Sequence, residues 1–99
     1  MESLGGVLDR LLARLGLDEE LRGWQAVEQW PQVVGDRVAR HTRAVGIQRG
    51  VLRVEVDGSA WMHELQYLRT ELIRTVNRAL GSDRVREIAF VIPRKGVLR

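Results

Sequence analysis

Fifteen of the sixteen basic side chains in this 99-residue chain are arginines, with Lys95 the single lysine. A planar guanidinium fork suits phosphate or carboxylate better than a point charge does. Two groups stand out. Arg69, Arg74 and Arg78 fall on the less apolar side of one helical pattern, with Arg84 and Arg86 in the turn and strand that follow. Arg37, Arg40, Arg43, Arg49 and Arg53 make a second group along a sheet edge. Either could hold nucleic-acid phosphates, which requires only cations within reach. Either could equally be a solvated face, the first partly neutralised by Glu64, Glu71 and Asp83, and a GC-rich coding bias would produce the same arginine excess. Tyr67 lies off the apolar stripe beside Arg69 and Arg74 and is a candidate to stack on a base.

Catalysis finds little support. His41 and His63 belong to no metal-ligand spacing, and nothing resembles a nucleophile elbow or a phosphate-binding loop. With no cysteine there is no thiol nucleophile, thiolate site or disulfide, which fits a reducing compartment. No cofactor or metal is expected. A length of 99 residues with 44% hydrophobic and 29% charged residues suits one domain over residues 1–93 that folds alone. Apolar runs are too short to span a membrane and the start lacks a signal-peptide pattern, so a cytoplasmic protein is expected. The net charge of +3 conceals an asymmetry: residues 1–36 hold three arginines against seven acids, net −4, and the remainder is net +7.

The elements that must carry these side chains follow from periodicity. Ser3 can cap a first helix with Leu4, Leu8, Leu11 and Leu15 on its apolar face and Gly16 at its end. At about a dozen residues it must dock on this chain or on another. Packing on this chain is the expected use of those four leucines, with docking on a partner helix as the alternative that makes them candidates for partner binding. Asp18 starts a second helix whose inner face is set by Leu21, Trp24 and Val27 or Glu28. Pro31 predicts a break near Gln29–Trp30 or a kink, followed by a helical piece through Val34, Val38 and His41, in which Gly35 admits a close neighbour.

Residues 42–48 and 52–56 flank Arg49–Gly50 as an antiparallel hairpin, with Leu52, Val54 and Val56 inward and Arg53, Glu55 and Asp57 outward. Ser59 caps a long helix carrying the stripe Trp61, Leu65, Leu68, Leu72, Val76 and Leu80. Trp24 and Trp61 are both expected in the core. After the turn Gly81-Ser82-Asp83, residues 85–92 form a third strand with Ile88, Phe90 and Ile92 on one face, ended by Pro93. That strand can lie parallel to one strand of the hairpin. The result is an α+β fold with helices over one face of a three-stranded sheet, followed by a mobile basic tail over residues 94–99.

Several blocks in order, Trp30, Val33-Val34-Gly35, Val38 to Thr42, Gly50 to Val56 and Ser59-Ala60-Trp61-Met62-His63-Glu64-Leu65, resemble the DciA family of bacterial replicative helicase loaders. Leu72-Ile73 through Asn77 to Ile88 continues the likeness, which covers about residues 20–92. Trp30, Gly35, Trp61 and Leu65 are the family-motif positions with structural roles. The resemblance implies a KH-like domain, association with the replicative helicase DnaB, and DNA binding. The Gly-x-x-Gly loop by which KH domains clamp a nucleic-acid backbone does not occur here, so DNA must meet another surface. Many family members also carry a long extension, while this sequence has short flanks.

Without a nucleotide-binding loop, such a loader would act through binding energy alone, by favouring a helicase arrangement that admits the strand. The function expected is therefore a non-enzymatic replication accessory, monomeric, that binds DnaB and single- or double-stranded DNA. Two other readings stay open: a KH-like module for nucleic acid, RNA included, with no helicase partner, and a structural domain that self-associates through its first helix.

Overall fold

The computed structural model describes residues 4–16 and 18–93. Ser3 and the basic stretch 94–99 lie outside the described residues, as do the side chains of Leu4 and Leu21. In chain order the elements are α1 (Leu4–Leu15), α2 (Asp18–Val34), α3 (Asp36–Ala39), β1 (Thr42–Gln48), β2 (Val51–Val56), α4 (Ser59–Tyr67), α5 (Arg69–Leu80) and β3 (Glu87–Val91). The sheet order is β1-β2-β3, antiparallel between β1 and β2 and parallel between β2 and β3. This is the expected α+β, KH-like arrangement with a mixed three-stranded sheet.

Strand β2 is central because its alternation is the cleanest in the chain. Leu52, Val54 and Val56 are fully buried, and Leu52 lies between Ile47 and Ile88 as Val54 does between Ala44 and Phe90. Each such side chain contributes about 1.5–3 kcal/mol. Helices α2, α4 and α5 cover this face through Ala26, Trp30, Leu65 and Val76, all buried. The opposite face presents Arg43, Val51, Arg53 and Glu87 to solvent. Arg49 and Gly50, with φ of 52° and 81°, form a two-residue turn that demands left-handed geometry at both positions.

Five expectations are corrected. First, of the break or kink expected at Gln29–Trp30 the break does not occur: α2 runs through Pro31 to Val34. Trp30 is anchored there, its Nε1 donating to Thr42 Oγ1 at 2.9 Å while that hydroxyl donates to the Val38 carbonyl at 2.9 Å. Burial and this bonded pair outweigh the proline's preference. Second, the chain turns at Gly35 instead, with φ 87°. A Cβ at Gly35 would meet nothing within 4 Å, so its role is conformational and not one of close approach. Close approach belongs to Gly23, where a Cβ would run into the Ile47 side chain.

Third, the long helix is two helices, interrupted at Leu68 (φ −93°, ψ 3°), whose N–H bonds to the Leu65 carbonyl at 3.0 Å. Helix α4 packs on β2 and β3, whereas α5 packs on α2 and β3, and one straight axis would not serve both. Leu68 is consequently exposed instead of continuing the stripe. Fourth, Ser59 is the first residue of α4 and Gly58 its N-cap, with no side-chain capping bond. Fifth, Ile92 lies past the end of β3 and is exposed. No helix among the described residues is long and apolar enough to cross a membrane.

Candidate nucleic-acid interface

The arginines divide differently from the two sequence groups. Arg69 lies 3.4 Å from Glu87, and Arg43 lies 3.1 Å from Glu55 on the open face of the sheet. Arg37 sits 5.9 Å from the Trp61 ring. Arg74 and Arg78 line a shallow hollow at the end of α5 with Ser82 and Asp83. Arg49, Arg53, Arg84 and Arg86, drawn from both groups, converge on one half-open groove between the hairpin turn, the Gly23–Trp24 part of α2 and the 82–86 segment. Asp83 is the one acid among its described lining residues, and Ser82–Asp83 forms the rim shared with the Arg74–Arg78 hollow.

Backbone bonds hold this groove. The Gly50 carbonyl accepts from the N–H of Arg86 at 2.8 Å and of Glu87 at 3.1 Å, and the Arg86 guanidinium donates to the Arg49 carbonyl at 2.9 Å. A Cβ at Gly50 would lie 2.6 Å from Arg86 Nε and 3.3 Å from the Arg84 carbonyl. From the other side Asn77 clips the segment: its Nδ2 donates to the Val85 carbonyl at 2.8 Å, and its Oδ1 accepts from the Val85 N–H at 3.0 Å. Val85 is buried, while its neighbours Arg84 and Arg86 are half-buried and exposed respectively. Arg53 lies opposite Gly46 on one side and Ala89 on the other, two residues too small to cover it.

The three tryptophans have three environments. Trp30 is core, as above. Trp61 is half-buried at the margin of the core, stacked on His41 with centroids 4.5 Å apart. His41 Nδ1 lies 3.2 Å from Asp57 Oδ2, so this histidine serves a local structural cluster. Trp24, expected in the core, is 56% exposed and lines the arginine groove. The buried face of α2 is Gly23, Ala26 and Trp30, and Trp24 stands about 100° away from Gly23. The sequence signal for this face is the pair of small residues, Gly23 and Ala26, spaced ahead of Trp30, and Trp24 falls off it.

Tyr67 is 82% exposed, edge-on to His63 at 5.8 Å, and does not line the groove. Among the candidate partner-binding residues, Leu8, Leu11 and Leu15 are exposed on α1, and the side chain of Leu4 lies outside the described residues. Among the described residues no three of His, Asp and Glu gather as a metal-ligand set. The groove counts four arginines, one of them held on the Arg49 carbonyl, and an exposed indole among its lining residues, a composition suited to a phosphate-bearing polymer.

Comparison with known proteins agrees in placing the chain. It is 28% identical over 102 residues to a UPF0232 protein of Corynebacterium glutamicum, covering 98% of this chain and 57% of that one. A UPF0232 protein of Mycobacterium tuberculosis is 28% identical over 92 residues, covering 93% and 49% respectively. One of Streptomyces avermitilis is 31% identical over 86 residues, covering 85% and 48%. The chain thus spans about half the length of the curated relatives it matches. The family model described as "Dna[CI] antecedent, DciA" matches residues 3–90, nearly the whole chain. This chain therefore belongs to the DciA family.

Proposed function

We propose that the chain is a replication accessory module without catalytic activity of its own, which binds the replicative helicase DnaB and assists its loading onto DNA through binding energy. The groove of Arg49, Arg53, Arg84 and Arg86 is its DNA face. The exposed apolar side of α1, with Leu8, Leu11 and Leu15, is its helicase face. The observation that carries the reading is the convergence of four arginines from the hairpin turn, β2 and the 82–86 segment on one groove, in a chain of this family. Phosphate binding needs such a set of cations and no further chemistry. An amphipathic helix with its apolar residues exposed supplies the kind of surface that docks in a partner's groove.

The test is to mix the protein with the hexameric helicase and measure both complex formation and helicase retention on a single-stranded substrate, using Leu11→Glu, Arg53→Glu and Arg74→Glu. Leu11→Glu is expected to lose the helicase complex and keep DNA binding. Arg53→Glu should do the reverse, and Arg74→Glu should have the smaller DNA effect because it lies outside the groove. DNA binding with no helicase complex would leave a KH-like nucleic-acid module. A size that rises with concentration and falls in Leu11→Glu would favour self-association through α1.

A further inference from the structure

We infer that the groove is selective for single-stranded nucleic acid and that Trp24 is its base-stacking platform. The inference rests on the proposed DNA face and assigns it a substrate form. Arginines alone would not discriminate in this direction, because a duplex carries the denser phosphate charge. Trp24 adds what a duplex cannot use: an aromatic plane accepts a base only after that base has left its stack. Three observations place Trp24 in this role. It is 56% exposed although Trp is the largest apolar side chain, and it lies in the same groove as Arg49, Arg53, Arg84 and Arg86. Its position is held from below, since the preceding Gly23 is buried against Ile47 at the end of β1, which leaves no room for α2 to roll Trp24 inward. The remaining exposed aromatic, Tyr67, lies outside the groove.

The division of labour is direct. The arginines hold the backbone without regard to sequence, and the indole takes a base face. Stacking is sequence-tolerant because every base has a π face, so the groove should accept thymine and adenine strands alike.

The experiment compares three probes with the full chain: an oligodeoxythymidine of about twelve nucleotides, within the usual site size, an abasic deoxyribose-phosphate strand of equal length, and a duplex of equal length. Wild type, Trp24→Ala and Trp24→Phe are measured, with the thermal melt of each variant as a check on folding. Trp24→Ala is expected to weaken oligodeoxythymidine binding on the order of tenfold, with Trp24→Phe restoring most of it. Binding of the abasic strand and of the duplex should be unchanged. Base-dependent fluorescence quenching should vanish in Trp24→Phe, because Trp30 is buried and Trp61, half-buried against His41, does not line the groove. Equal loss on all three probes, or no loss on any, overturns the stacking role while leaving the phosphate groove intact. If the wild type binds none of the three probes, the DNA face itself is refuted and the inference with it.

Discussion

Thr42 shows how one side chain can serve two elements. Its hydroxyl accepts from Trp30 and donates to Val38, which satisfies a buried indole and ties α2 and α3 to the first residue of β1. Thr42→Val keeps the shape and removes both bonds, leaving the Trp30 N–H buried without an acceptor. A loss of about 1–3 kcal/mol is expected, read as a lower denaturant midpoint at unchanged m-value. Arg49 presents the opposite case. A non-glycine residue at φ 52° is costly, yet here it brings a guanidinium to the groove. Arg49→Asn should therefore raise stability by about 0.5–1 kcal/mol, since Asn tolerates this geometry, while lowering affinity for single-stranded DNA. Chemical denaturation and a binding titration on the same preparation would check both signs. The Arg86 contact should survive, because it uses the Arg49 carbonyl and not its side chain.

At the scale of elements, the hairpin and the parallel third strand were legible in the sequence because alternation in residues 51–56 and 87–91 allows one register toward a single covering layer. The helical faces were less legible. Nothing local in residues 66–70 marks a helix end, with neither proline nor glycine there; the interruption at Leu68 arises from where α4 and α5 must pack. At Pro31 the reverse holds, its local preference for a helix break being overridden by the burial of Trp30. The site was half legible: all four groove arginines were candidates, but pairing Arg49 and Arg53 with Arg84 and Arg86 requires the bonds from Gly50 to the entry of β3, a contact more than thirty residues apart. Gly23 couples fold and site. Gly23→Ala gains about 1 kcal/mol of helix propensity but forces α2 off Ile47, for a net loss of about 1–2 kcal/mol by thermal melt. It should also weaken single-stranded binding by displacing Trp24. Asn77→Leu offers an independent check, because it frees the Val85 backbone and should loosen Arg84 and Arg86 without touching Trp24.

Over the whole molecule, an acidic front of net −4 precedes a basic remainder of net +7, and the two proposed faces follow that division. Helix α1, with its exposed leucines, belongs to the first part, and every groove arginine belongs to the second. Their effects should be independent, so the changes caused by Leu11→Glu and Arg53→Glu in one ternary helicase–DNA assay should add within about 0.5 kcal/mol. The groove makes the more exacting claim. If its four arginines each engage a phosphate, the logarithm of the association constant for a single strand should fall with the logarithm of salt concentration at a slope of about −3. Arg53→Gln, which removes one cation from an exposed sheet position, should flatten that slope by about 0.7. A flat response in the wild type, or an unchanged slope in Arg53→Gln, would contradict the assignment of this groove as the DNA face.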